Sequence, residues 1–256
     1  MDIRRLARTF VFGASLAAGS AGGAAQAQSD WEFTVTPYGW LAGLDGDLGA
    51  LPGLPSQDVS LSFGDILDDL DYGVFLFASA RNGPWVLFFD GSAVQTTSTE
   101  GIGGAVVDSI EVRSRTSNLA FAVGRTIARS DMHNIDAYVG VRAWWLDNEF
   151  TVKTQPATGL GKIRENSDAS WVDPLIGIAG QYTVTDRWNL FGSAEVGGFG
   201  VGADLEWSLM AGATYSYNER FGLTVGWRYL AVDYEEDGLV FDVSQTGPLI
   251  GATFRF

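Results

Sequence analysis

The sequence predicts an all-β fold: a single antiparallel up-and-down transmembrane β-barrel of about ten strands. Three observations lead to this prediction. Apolar and polar residues alternate with a period of two, the alternating segments are separated by connections of alternating length, and a short apolar stretch precedes them. A period of two places every second side chain on the same face of a strand, as a barrel wall requires. Eight or twelve strands are also compatible with the pattern.

The N-terminus has the three parts of a secretory signal peptide. Residues 1–8 are basic, residues 10–18 are apolar but too short to span a bilayer, and Ala25-Gln26-Ala27 has the form of a cleavage site. We therefore predict a cleaved signal peptide over residues 1–27 and one β-barrel domain over residues 28–256.

The alternation is clearest over residues 135–146, 205–217 and 221–231. In the first of these segments, one face carries Ile135, Ala137, Val139, Val141, Ala143 and Trp145, and the other carries Asp136, Tyr138, Gly140, Arg142 and Trp144. Each segment reaches the length of a tilted membrane strand, about 9–11 residues. The whole chain gives ten strands, at residues 31–43, 72–81, 84–97, 110–127, 135–153, 171–184, 188–200, 204–217, 220–234 and 240–256.

The connections between these strands alternate between short and long. The short ones lie at residues 82–84, 129–134, 185–187 and 216–220, and the longer, polar ones at 44–71, 98–109, 154–170 and 235–239. Only the connection at residues 201–203 breaks this alternation, because it is short where a long one is expected. Short turns at one end and long loops at the other, with an even number of strands, are typical of a membrane barrel whose termini share one side.

Aromatic residues cluster near the predicted strand ends and suggest an interfacial girdle. They are Trp31, Trp85, Trp171, Trp188, Tyr215, Tyr217, Phe221 and Phe256. The alternative fold is a soluble β-sandwich, because its strands would alternate in the same way.

Charge and composition exclude several classes of protein. Without the signal peptide the chain has 13 basic and 30 acidic residues, a net charge of −17, so it lacks the basic face that binds nucleic acid. It has no cysteine, which excludes disulfides and thiol chemistry. No apolar run after the signal peptide approaches the roughly 18 residues of a membrane helix.

The end of the chain, Pro248 to Phe256, alternates and finishes on an aromatic residue, with Phe254 two positions earlier. This strand resembles the C-terminal assembly signal of Gram-negative outer-membrane barrels. With the signal peptide, the chain resembles the small outer-membrane β-barrel proteins, such as the OmpA-barrel, OmpX and OmpW kinds. The resemblance implies the outer membrane as location, with membrane lipid, lipopolysaccharide and the barrel-assembly machinery as partners. It assigns no subfamily, oligomeric state or single function.

Charged residues fall on the face that the alternation assigns to the lumen. They are Glu32, Asp90, Asp173, Glu195 and Glu206 among the acids and Arg142, Arg228 and Arg255 among the bases. One interpretation is a salt-bridge network that fills the narrow barrel, since unpaired charges there would be costly. The other is a narrow path that favours cations.

The long connection at residues 44–71 is acidic, with Asp45, Asp47, Asp58, Asp65, Asp68, Asp69 and Asp71. The spacing of Asp45 and Asp47 is compatible with Ca²⁺ or Mg²⁺, but the remaining ligands of an EF-hand loop are missing, so we predict a solvated loop with no metal or cofactor. Four apolar residues with helical spacing predict a short helix that acts as a lid or an interfacial patch. They are Phe63, Ile66, Leu67 and Leu70.

The single histidine, His133, falls in a turn on the side of the termini. Most barrel hydrolases need a histidine base near the outer rim, and His133 is predicted on the other side, so we predict no catalytic residue and no enzyme activity. The preferred function is a structural or interaction role in the envelope. The alternative is a narrow channel for small cationic solutes, or for apolar ones that enter beneath residues 61–71.

Overall fold

The computed structural model describes residues 31–49, 55–104, 106–156 and 161–256. The predicted signal peptide lies outside this part of the chain. The described residues form twelve strands and one helix: β1 (Glu32–Trp40), β2 (Gly43–Gly49), β3 (Gln57–Leu61), α1 (Phe63–Asp68), β4 (Leu70–Asn82), β5 (Trp85–Gly101), β6 (Val107–Arg129), β7 (His133–Thr154), β8 (Lys162–Thr183), β9 (Trp188–Gly198), β10 (Leu205–Ser216), β11 (Phe221–Glu236) and β12 (Leu239–Arg255).

Ten of these strands close into an antiparallel barrel. β1 pairs with β4, each strand from β4 to β12 pairs with the next, and β12 pairs back with β1 through contacts such as Tyr38 with Gly251. Closure leaves no free sheet edge in this part of the wall, which is the condition for strands to cross a membrane. The predicted fold class, the ten strands and the short helix are confirmed.

The connection at residues 44–71 is not the simple loop that the sequence suggested. Strand β12 is longer than β1, and its residues 240–246, which extend past β1, pair with β2. β2 in turn pairs with β3, so the hairpin extends the wall. The chain passes from β1 to β2 beside Gly247, where a Cβ would lie 2.2 Å from the carbonyl oxygen of Leu41. Glycine is therefore required at this close approach.

The predicted start of the sixth barrel strand, β8, at residue 171 was also wrong. Strand β8 begins at Lys162, because residues 162–170 of the predicted loop pair with the outer half of β7, from Lys162 opposite Lys153 to Ser170 opposite Trp145. The polar residues 162–170 showed no apolar alternation, since both faces of the sheet are outside the apolar belt at this height. Pairing with a neighbour, and not burial, makes them a strand.

The two ends of the barrel differ. The end that holds the start of β1 and the end of β12 also has the short turns, and we call it the terminal end. At the opposite end, the loop end, strands β6, β7 and β8 extend over 23, 22 and 22 residues, whereas β9 and β10 have 11 and 12. A membrane strand needs about 9–11 residues, so β6–β8 form a sheet that projects well beyond the belt.

Large apolar side chains are exposed around the outside of the barrel. This apolar belt includes Leu119, Phe121, Val139, Val141, Val172, Ile176, Ile178, Leu190, Leu209, Leu223, Val225 and Ile250. Aromatic residues border it at the terminal end, among them Trp85, Trp188 and Tyr217. Trp171 does not belong to this girdle, contrary to the prediction, because its side chain is buried in the lumen. Within the described residues, no helix is long and apolar enough to cross a membrane.

Candidate functional site: the barrel interior

The lumen contains all eight charged residues that the alternation assigned to it. Glu32 and Arg255 lie at the terminal-end mouth, and Asp173 lies near the loop end. The other five meet in the middle of the barrel and form a cluster that we call the charge layer: Asp90, Arg142, Glu195, Glu206 and Arg228.

Arg142 is the centre of the charge layer. Its guanidinium donates to Glu206 and, at 2.5 Å, to Glu195, and it lies 3.7 Å from Asp90. The side chains of Arg142 and Glu206 are each 1% exposed. Trp144 supports the second oxygen of Glu206 by donating from Nε1 at 2.7 Å. These contacts join β7 to β5, β9 and β10 across the lumen.

Arg228 completes the layer from the other side of the barrel. Its guanidinium donates to Asp90 at 2.5 Å and to the hydroxyl of Tyr38. The hydroxyl of Tyr138 donates to Glu195 at 3.2 Å. Charge-assisted hydrogen bonds of this kind are the stronger ones, and buried charges persist only when they are paired in this way. Every acid of the layer therefore has a basic partner, but three acids share two arginines.

An aromatic cluster fills the lumen between the charge layer and the loop end. The ring of Trp171 stacks 3.8 Å from Tyr234 and 5.7 Å from Trp144, and Phe241 packs against both tryptophans. Trp40 belongs to the same cluster, together with the aliphatic side chains of Leu146, Leu230, Val232, Leu239, Val243 and Leu249. This cluster was not predicted from the sequence. The alternation nevertheless puts Trp171 on the same face of its strand as Asp173, and Trp144 on the same face as Arg142.

Asp173 lies directly opposite Arg142 across β7 and β8, but it forms no ion pair with the arginines of the charge layer. Its carboxylate accepts the backbone N–H of Ala203 at 2.7 Å and the Nε1–H of Trp171 at 2.8 Å. The connection between β9 and β10 is thereby held inside the barrel, and Ala203 is completely buried. Asp173 thus anchors the turn that helps to close the loop end.

The lumen is open on the other side of the charge layer. A cavity of about 300 Å³ extends from Asp90 and Glu195 to the terminal-end mouth at Glu32 and Arg255. A further ion pair, between Arg81 and Asp136 at 2.5 Å, lies at this mouth. This ion pair was not predicted from the sequence, although the alternation puts Asp136 on the lumen face of its strand.

Helix α1 lies against the β2–β3 hairpin and has no buried residue. Its N-terminus is closed by a capping box, in which Ser62 and Asp65 each accept from the backbone of the other. The Ser62 hydroxyl, which also donates to the Asp65 carboxylate at 2.6 Å, and then the Ser62 backbone N–H lower the pKa of this carboxyl. None of Phe63, Ile66, Leu67 and Leu70 belongs to the aromatic cluster that fills the lumen, and their role as a lid stays a prediction.

The acidic residues near α1 form a row on the outside of the wall. Asp233, Asp242, Asp47 and Asp58 lie directly opposite one another across β11, β12, β2 and β3. Asp45 accepts a hydrogen bond from Ser60 at 2.6 Å. In the described part of the chain, no three histidine, aspartate or glutamate side chains are arranged to hold a metal ion.

The remaining predicted residues lie at the terminal end. Phe254 packs against Phe221 at 5.5 Å on the outside of the barrel, and Phe256 is exposed and pairs through its backbone with Phe33. Their role as an assembly signal stays a prediction. His133 starts β7, and its Nδ1 lies 2.7 Å from the Ser130 hydroxyl in an exposed turn.

Comparison with known proteins finds similarity in structure only. No protein-family model and no curated protein matches the sequence. The outer-membrane protease OmpT of Escherichia coli is similar over 90% of this chain and 98% of its own, at 10% identity and a TM-score of 0.50. The translocator domain of the autotransporter NalP of Neisseria meningitidis is similar over 90% of both chains, at 10% identity and a TM-score of 0.42. At these identities the likeness concerns the fold alone. With its closed ten-stranded wall and its apolar belt, this chain has the fold of an outer-membrane β-barrel protein.

Proposed function

We propose that this protein is a non-conducting, non-enzymatic barrel with a structural or interaction role in the cell envelope. The observation that carries the proposal is the double closure of the lumen, by the charge layer and by the aromatic cluster. Side chains held by several ion pairs and stacked rings occupy the described lumen at these two levels, whereas conduction needs sites that an ion can both enter and leave.

The projecting part of β6–β8 supports an interaction role. Short turns are typical of the periplasmic side of an outer-membrane barrel, so we infer that the terminal end faces the periplasm and that this sheet extends to the outside of the cell. Its outer face carries five basic residues: Arg113, Arg115, Lys153, Lys162 and Arg164. Glu111 lies 2.9 Å from Lys153 and 3.8 Å from Arg113, and Glu149 lies 3.8 Å from Arg164. Arg115 donates to the amide oxygen of Gln95 and, within the described residues, has no acidic partner. Cations directly above the apolar belt would meet the phosphates of lipopolysaccharide.

Single-channel recording in planar bilayers tests the closed lumen. We expect no conductance from the purified protein, while a general porin in the same chamber shows that the membrane reports open channels. A reproducible ion-selective conductance that disappears in Asp90→Ala or Glu195→Ala would instead establish the narrow channel and overturn the proposal.

Lipopolysaccharide bound to the purified protein tests the proposed surface. We expect less of it to copurify after Arg113, Arg115, Lys162 and Arg164 are changed together to glutamine. The matched control removes four basic residues from the terminal end: Arg125, Arg129, Arg187 and Arg220. Equal losses in both variants would show a general effect of net charge and would argue against this face.

A further inference from the structure

The cavity between the charge layer and the periplasmic mouth has the properties of a binding site. Its volume of about 300 Å³ is at the lower end of the range for small-molecule sites. It ends blindly at the charge layer, so a molecule that enters from the periplasm leaves by the same mouth. The inference goes beyond the proposed envelope role and depends only on this half of the lumen.

The walls of the cavity differ in chemistry. On one side, hydroxyl groups of β10, β11, β12 and β1 form a continuous hydrogen-bonded row, from Thr214 through Thr224 and Thr253 to Thr36, with distances of 2.6–2.9 Å. The other side is apolar and aromatic, with Phe77, Phe88, Ala120, Ala122, Leu175 and Phe191. A molecule with a flat apolar body and a polar group fits such a two-sided cavity.

The inner end of the cavity carries excess negative charge. Asp90, Glu195 and Glu206 give the charge layer three acids against the two arginines, Arg142 and Arg228. Asp90 and Glu195, whose side chains are each 15% exposed, line this end of the cavity together with Arg228, so two acids face one base there. A buried charge without full compensation is costly, so a cation at this end of the cavity would be stabilised.

The mouth does not oppose a cation. Among the described residues, the side chain of Arg255 donates only to the hydroxyl of Ser216, at 3.3 Å. Glu32 lies at the same opening, and Arg81 is paired with Asp136. These four charges sum to zero, whereas the mature chain as a whole has a net charge of −17 and so attracts cations.

We propose that this cavity binds a small organic cation with an aromatic or other flat apolar body. Its ammonium group would lie at Glu195 and Asp90, and its apolar body would pack against Phe88 and the neighbouring apolar wall. Aromatic rings at this position also favour a positive charge through their π faces.

Fluorine NMR of the detergent-solubilised protein tests the proposal with three probes of the same shape. We expect 4-fluorobenzylammonium to bind more tightly than neutral 4-fluorobenzyl alcohol, and both more tightly than the anion 4-fluorobenzoate. Equal binding of all three would mean simple apolar partition, and preference for the anion would assign the cavity to Arg255. Either result would overturn the proposal.

The variant Glu195→Gln gives the sharpest test, because it removes one acid and leaves the charge layer with two acids for two arginines. Glutamine keeps an acceptor for Arg142 and Tyr138, so the barrel should fold. We expect the ammonium probe to bind about tenfold to a hundredfold more weakly, the range for losing a hydrogen bond to a charged group. Asp186→Asn, in an exposed terminal-end turn, is the matched control and should leave binding unchanged.

A second variant fills the cavity without changing its charge. Ser193 lines the cavity from β9, and Ser193→Phe should abolish binding of both the ammonium and the alcohol probe. Undiminished binding in this variant would place the probes elsewhere on the protein, and the proposed site would then be wrong. Neither result depends on whether the barrel conducts ions.

Discussion

Arg142 on β7 and Glu206 on β10 form an ion pair in the middle of the barrel, where the side chain of each is only 1% exposed. The two residues are 64 positions apart in the sequence. Glu195 and Asp90 lie around the same guanidinium, so Arg142 alone holds together acids from three other strands. The stability of the barrel should therefore depend strongly on this one side chain.

Replacing Arg142 by methionine should destabilise the barrel by about 3–5 kcal/mol, since it leaves buried acids without their shared cation. The free energy of unfolding can be measured by urea titration of the protein folded into phospholipid vesicles. The control is Arg125→Met on the outside, where the guanidinium lies 5.7 Å from the Trp85 ring and the loss should be about 1 kcal/mol or less. Similar losses in the two variants would contradict the central role of Arg142.

Two glycines of β8 should respond differently to alanine. A Cβ at Gly177 would lie 2.4 Å from the ring of Tyr138 and would displace the hydroxyl that donates to Glu195. We expect Gly177→Ala to cost about 1–3 kcal/mol, as for other overpacked sites. At Gly180 the nearest atom is 3.7 Å away, so Gly180→Ala should be neutral or slightly stabilising. The same urea titration measures both, and equal effects would show that Tyr138 moves freely.

The turn between β9 and β10 should loosen when Asp173 loses its carboxylate. Asp173→Ala removes the acceptor for Ala203 and Trp171, and a buried donor without a partner costs about 1–3 kcal/mol. Limited proteolysis of the folded protein should then show cleavage within residues 199–204. Asp173→Asn keeps one oxygen acceptor and should be cleaved more slowly than Asp173→Ala. Resistance of both variants would mean that other contacts hold this turn.

The pKa of Asp233 should depend on its cross-strand neighbour. Partial burial and then the negative charges of Asp242, Asp204 and Glu235 raise the pKa of this carboxyl above its ordinary value. The raised pKa means that the fold disfavours the ionised form. Stability at this rim therefore increases as the pH falls through the folded-state pKa of Asp233.

Asp242→Asn removes the charge directly opposite and should lower the pKa of Asp233. Carboxyl ¹³C NMR titration of the folded protein measures this change. Asp186→Asn, in a turn at the other end of the barrel, is the control and should leave the pKa of Asp233 unchanged. An unchanged pKa in Asp242→Asn would show that Asp242 does not contribute and that burial, with Asp204 and Glu235, causes the shift.

Much of the interior could be predicted from the sequence. The alternation assigned Arg142, Glu206 and the other six charges to the lumen face, because the pleat of a strand fixes the direction of each side chain locally. The same alternation puts Trp171, two positions before Asp173, on the lumen face as well. It was assigned to the girdle because its polar edge and its position at the end of an apolar segment are also typical of an interface.

The sequence by itself determined the alternating part of the ten barrel strands and the direction in which their side chains point, since both follow from a local period of two. Only the tertiary structure decided which residues meet across the lumen, such as Tyr38 with Arg228, 190 positions away. That depends on strand tilt and stagger, which are set by the closure of all ten strands together. The pairing of β2 with β12, and the division of the lumen into a filled half and an open half, were decided in the same way.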